Sequence, residues 1–140
     1  MDRVAIIVLA DTESHGDLGR LANALEAVKE FKEAGDDVQL IFDGAGTKWI
    51  GELSKSDHKV KGLYDAVKAR VTGACQFCAG AFGATESGKS EAISLISDYE
   101  GAPKFQEAHL PRLSGYHVLT ETKRSPWIEE DEDATQPTRS

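Results

Sequence analysis

Gly73-Ala-Cys75-Gln-Phe-Cys78-Ala-Gly-Ala-Phe-Gly83-Ala-Thr-Glu-Ser-Gly88-Lys89-Ser90 is the stretch on which the reading of the chain turns. It carries both cysteines of the protein as a C-x-x-C pair. Its second half, residues 83–90, matches letter for letter the G-x-x-x-x-G-K-S string of phosphate-binding loops. Residues 71–75 predict a short strand, and residues 76–82 a turn leading into a helix. In open parallel sheets ligands gather beyond the carboxyl ends of the strands, and Cys75 falls at such an end. A helix starting just after it would offer free N–H groups to a thiolate, the nucleophilic form of cysteine. Cys75 is therefore expected to carry the reactive thiol, with Cys78 second. Against this stands the ordinary behaviour of free cysteines, which are small buried apolar residues.

The phosphate-loop string lacks its usual surroundings. Such a loop follows a buried strand and is paired with a later strand ending in a metal-binding acid. Residues 75–82 hold no β-branched residue, and residues 116–120, the only later strand candidate, are followed by Glu121. A turn plus a helix start, capped by Ser87, is the plainer reading. The C-x-x-C also suits a thioredoxin-like dithiol, though that motif usually follows an early strand. It supplies only two of about four zinc ligands, and His15 and His117 would have to be brought close to complete a site. The sequence thus gives no metal site and no cofactor.

Working outward, residues 4–10 form a continuous apolar run, Val4-Ala-Ile-Ile-Val-Leu-Ala10. That pattern predicts a strand buried on both faces, as in a parallel sheet. Leu18, Leu21, Leu25, Val28 and Phe31 follow at helical spacing, with Ser14 and Asp17 placed as in a capping box and Gly35 as a stop. Residues 38–42 predict a second strand, ended by the Gly-rich turn at Asp43. Gly44-x-Gly46 lacks the third glycine of a dinucleotide fingerprint. A short helix is expected over residues 47–53. Another is marked by Val60, Leu63, Tyr64, Val67 and Val71, with Ser56 or Asp57 as its cap. Ala92, Ile93, Ile96 and Tyr99 suggest a helix, with residues 93–96 as a fifth strand the alternative. Residues 105–113 are a weak helix candidate broken by Pro111, and residues 116–120 a last strand. Strands alternating with helices predict an α/β domain with a mostly parallel sheet. The domain is expected over residues 1–123. Residues 124–140 are read as an acidic, disordered tail, with Trp127 and Ile128 the part able to dock.

Composition narrows the function classes. One 140-residue chain is large enough for one cored domain. The net charge is −8, and the acidic run 129–133 accounts for five of it. The remaining −3 offers no basic face to nucleic acid or to an anionic membrane. No apolar run is long enough to span a bilayer, and no secretory h-region is evident. A cytoplasmic protein with free thiols is the expectation.

In order and spacing these features resemble the DsrE/DsrF-like family, the sulfur-relay group, over roughly residues 4–120. The resemblance rests on the first strand, loop and helix, and on strand 38–42 with the following Asp43-Gly-Ala-Gly-Thr-Lys-Trp49. It continues in the cysteine turn from Gly73 to Gly83, Tyr99-Glu-Gly101 and Gly115-Tyr-His-Val-Leu-Thr120. It implies a flavodoxin-like, three-layer α/β/α fold with about five strands. It also implies homo-oligomers, often trimers or hexamers. In sulfur-relay members one cysteine accepts a persulfide and passes it between donor and acceptor proteins. The family cysteine lies eight residues before a glycine, which points to Cys75 and Gly83 and makes Cys78 the extra thiol of a C-x-x-C subgroup. Gly88-Lys89-Ser90 and Pro111 depart from the simple helix found there in relatives. Trp49, Ile50, Phe77 and Phe82 are candidates for a subunit contact. Three functions stay open: a sulfur carrier using Cys75 and Cys78, a nucleotide-binding protein using Gly83 to Ser90, and a non-catalytic oligomeric binding module.

Overall fold

A computed structural model describes residues 3–103. Within them lie four strands: β1 (Arg3–Val8), β2 (Asp37–Phe42), β3 (Val71–Cys75) and β4 (Leu95–Ile96). All three pairings are parallel, in the order β1-β2-β3-β4. The α/β class and the parallel sheet are as the sequence predicts. The strand order, which the sequence leaves open, is sequential; a flavodoxin-type order would place the first strand inside the sheet. The segments read as a helix over 105–113, a strand over 116–120 and a tail from residue 124 lie outside the described residues.

The first β-α unit forms for the reasons visible in its sequence. Val4, Ala5, Ile6, Ile7 and Val8 are all buried, so both faces of β1 are covered. Helix α1 (His15–Glu33) starts where the Ser14 side chain accepts the Asp17 N–H at 3.1 Å. It buries Leu21, Ala24, Leu25 and Val28, the stripe facing the sheet. Gly35, at φ +86°, lets the chain turn off its end. Right-handed crossovers between strands in sequential order put successive helices on one face, and α1 packs on α3 (Lys61–Val67) there. Leu21, Leu25, Leu40, Phe42, Tyr64 and Val67 make up the centre of that core. Burying one such leucine contributes about 2 kcal/mol. The opposite face carries Ala5, Ile7, Ile41 and Ile96, also buried. The sheet is therefore the middle layer.

Several local expectations change. Helix α3 begins at Val60 with no side-chain cap from Ser56 or Asp57. Instead the Val60 N–H donates to His58 Nδ1 at 3.3 Å. The segment 47–53 is a 3₁₀ turn (Gly44–Lys48) running into α2 (Trp49–Leu53). Trp49 and Ile50 are core residues rather than a subunit contact. The Trp49 indole N–H donates to the Ala10 carbonyl at 2.9 Å, which satisfies its polar end inside. The helical spacing from Ala92 to Tyr99 does not make a helix. Ala92 sits at φ +58°, and the Ser94 carbonyl accepts the Ala74 N–H at 2.8 Å. Pairing with β3 captures Leu95 and Ile96 as a strand, so long-range hydrogen bonding overrides local periodicity.

One irregularity positions the site. Between β2 and β3 the register slips: Leu40 is paired with Val71, but Ile41 with Gly73 and Phe42 with Ala74. Thr72 is the extra residue, a bulge on β3, and its hydroxyl bonds Gln39 Oε1 at 3.1 Å.

Candidate functional site

Beyond the carboxyl ends of β2 and β3, three side chains converge. Phe42 is paired with Ala74, so the next residue on each strand, Asp43 and Cys75, emerges beside the other. Helix α4 (Gln76–Ala81) starts at once, and its first turn swings Cys78 back over both. Asp43 Oδ, Cys75 Sγ and Cys78 Sγ all lie within 4.8 Å of one another. The Cys78 thiol reaches Asp43 Oδ1 at 3.4 Å. The Cys78 N–H donates to Cys75 Sγ at 3.3 Å, so Cys75 caps the helix with sulfur. Asp43 Oδ1 also accepts the Gly44 N–H at 2.8 Å, which opens the 3₁₀ turn and fixes the carboxylate. Gly101 closes the other side. Its carbonyl accepts the Phe77 N–H at 2.8 Å and stands 3.9 Å from Cys75 Sγ.

The two thiols differ in access. Cys75 is 1% exposed, whereas Cys78 is half-buried. The surroundings of Cys75 disfavour its thiolate. Burial pushes its thiol up to about 12; the Cys78 N–H pulls the other way, and the Asp43 charge adds to the rise. A reactive position needs both thiolate character and access. The burial of Cys75 works against both, and Cys78 is the more accessible of the two thiols. Asp43 was missed as a site residue. Its only sequence signal is an acid directly after an apolar strand in a parallel sheet.

The phosphate-loop string has none of that loop's geometry. It follows helix α4, not a strand, turning at Gly83 (φ +73°) into helix α5 (Thr85–Ser90). The Gly88 N–H, which a phosphate loop would leave free for its ligand, donates to the Ala84 carbonyl at 2.9 Å. Gly88 is buried close to Leu95, Lys89 is exposed, and the Ser90 hydroxyl donates to the Ser87 carbonyl. Ser87 lies inside the helix and does not cap it.

His15 is not drawn toward the cysteines. It lines a separate cleft of about 210 Å³ with Glu13, Trp49, Glu52 and His58. His117 lies outside the described residues. Above that cleft Lys48 Nζ bonds Asp11 Oδ1 at 2.7 Å and Glu13 Oε2 at 3.0 Å. The hydrogen bond from Lys48 holds the Asp11 carboxyl below its ordinary value, and the two acids raise Lys48. Among the described residues no helix is long and apolar enough to cross a membrane.

No family model matches the chain, and no solved structure matches it. Among curated proteins it is similar to an uncharacterized protein of Methanocaldococcus jannaschii, 30% identical over 81 residues. The match takes in 58% of this chain and 65% of that relative's length, somewhat less than two thirds of it.

Proposed function

We propose that this chain is a cysteine-based sulfur carrier of the DsrE/DsrF-like kind, in which Cys78 receives the sulfur and Cys75 stands behind it. The observation that carries the reading is the convergence of Asp43, Cys75 and Cys78 at the strand ends, with only Cys78 open to a partner. In the loading step a donor persulfide, R–S–SH, meets the Cys78 thiol. The Cys78 sulfur bonds the outer sulfur, the donor S–S bond breaks, and R–SH leaves with the thiol's proton. Asp43 Oδ1, 3.4 Å from that sulfur, orients the proton as it departs. The reverse exchange with an acceptor thiol unloads the carrier. No net oxidation takes place in either step.

The depth of Cys75 has a use here. A thiolate beside a persulfide would attack its inner sulfur, form the Cys75–Cys78 disulfide and release the outer sulfur as sulfide. A thiol pushed up to about 12 stays protonated at neutral pH and leaves the persulfide intact. Phe77 and Phe82, 68% and 45% exposed, flank the pair and suit contact with a second copy, in keeping with the trimers or hexamers of the resembled family. Two free thiols suit the cytoplasm.

The reduced protein treated with cysteine persulfide and weighed intact tests this. The expected result is a gain of one sulfur atom in the wild type and in Cys75→Ser, and none in Cys78→Ser. No gain in the wild type, or a gain that survives Cys78→Ser, overturns the reading.

A further inference from the structure

We propose that Asp43, Cys75 and Cys78 are also a metal site, taking one thiolate-preferring cation of the Zn²⁺ class through two sulfurs and one carboxylate oxygen. This goes beyond the carrier reading and does not depend on it. The three ligands come from three segments: the end of β2, the end of β3 and the first turn of α4. A sheet register, not a loop, sets two of them side by side.

The geometry is close to what such an ion needs. Zinc bonds sulfur at about 2.3 Å and carboxylate oxygen at about 2.1 Å. In a tetrahedron those bonds put sulfur and oxygen about 3.6 Å apart and the two sulfurs about 3.8 Å apart. The Cys78 Sγ to Asp43 Oδ1 separation is already 3.4 Å, and all three ligand atoms fall within 4.8 Å. Small side-chain rotations complete the cage. The neighbouring donors are those a metal site uses to orient its ligands. The Gly44 N–H holds Asp43 Oδ1 at 2.8 Å, and the Cys78 N–H holds Cys75 Sγ at 3.3 Å. Cys78 is half-buried, so the fourth position faces outward and takes water or a ligand atom from outside.

Binding is balanced by protons. Each thiol gives up one proton as its sulfur bonds the metal, so two protons leave the cysteines per cation. Soft thiolates favour Zn²⁺ or Cu⁺ over Mg²⁺ or Ca²⁺, which want only oxygen. The Cys78 sulfur would also carry the persulfide, so metal and carried sulfur exclude each other.

Titration of the reduced, full-length protein with Co²⁺, followed by displacement with Zn²⁺, tests the site. The expected result is one Co²⁺ per chain, with a thiolate-to-cobalt charge-transfer band and tetrahedral d–d absorption, and release of about two protons per ion. Cys78→Ser should remove much of that band. Asp43→Asn should weaken Zn²⁺ binding by about tenfold or more. Circular dichroism checks each variant's fold, and alkylating Cys78 in the native protein serves in place of a variant that fails to fold. A missing charge-transfer band overturns the proposal, as does binding unchanged by loss of Cys78, which would place the metal elsewhere. Persulfide loading is read by mass on metal-free protein, so failure of either idea leaves the other standing.

Discussion

Residues 73–78 and 83–90 look alike as letters and behave as opposites. Both are rich in small residues, both hold a glycine at the start, and both lead into a six-residue helix. The first completes β3, an inner strand of the parallel sheet, so its side chains are delivered to the strand ends, where Asp43 meets them. The second follows a helix, so its backbone amides are spent on helical hydrogen bonds and its lysine points outward. Their opening glycines are needed for different reasons. A Cβ on Gly73 would fall 2.6 Å from the Ser94 carbonyl oxygen and 2.8 Å from Ile96 side-chain atoms. A Cβ on Gly83 would meet nothing within 4 Å, but the φ of +73° is one that L-residues resist. Whether a motif becomes a site depends on the element before it more than on its own letters.

The contrast can be broken most sharply at those glycines. Gly73→Ala is expected to destabilise the fold by about 3 kcal/mol, the upper end for overpacking, because β4 must move off β3. Denaturant midpoints would show it, together with faster labelling of Cys75 as its cover lifts. A Gly73→Ala protein as stable as the wild type would mean that β4 is not held where described. A smaller effect comes from pH. Burial raises the Cys75 thiol from its ordinary 9.0 to about 12 in the folded protein. Below pH about 9 both folded and unfolded chains keep that proton, and the group leaves stability unchanged. Between about 9 and about 12 only the unfolded chain releases it, so stability falls as pH rises, by at most about 1.4 kcal/mol per pH unit. Tyr64, raised by burial from 10.0 to about 12, adds a loss of the same sign. Unfolding in reductant should therefore give a steeper decline for the wild type than for Cys75→Ala, and equal slopes would show that Cys75 is not shielded.

At the other motif the effects shrink. Gly83→Ala should cost about 1 kcal/mol, from left-handed strain alone. Lys89→Ala should change stability by less than about 0.5 kcal/mol, as exposed substitutions do, and calorimetry with ATP and Mg²⁺ should show no binding in either protein. Micromolar binding that disappears with Lys89 would overturn the contrast.

The parts of the fold set by local pattern were legible. Val4 to Val8, the stripe from Leu21 to Val28 and the cap at Ser14 each state their own structure, because burial on one face or both leaves a period in the sequence. The cysteine pair and its strand-end position were legible for the same reason. Three things were not. β4 depends on a hydrogen-bonding partner some twenty residues away, against a helical spacing. Asp43 joins the site only through the pairing of two strands, and no spacing within one strand encodes that. The burial of Cys75, which makes Cys78 the more accessible thiol, depends on what packs around the strand end and not on Cys75 itself. Trp49 and Ile50 misled in the same way: aromatic and apolar letters near a turn do not say which way the turn faces.

The bulge at Thr72 acts as a phase shifter for the chemistry. Leu40 pairs with Val71 before it; across it, β3 gains a residue on its neighbour, and the strands then run in step, Ile41 with Gly73 and Phe42 with Ala74. Were the strands in simple step from Leu40 and Val71 onward, Asp43 would come level with Ala74, and Cys75 would lie one place further along, on the other side of the pleat. The cluster is thus sensitive to chain length before it is sensitive to residue type. In the divergence of related chains, loss or gain of a single residue between Val71 and Gly73 would unmake the cluster while leaving all three of its residues in the sequence.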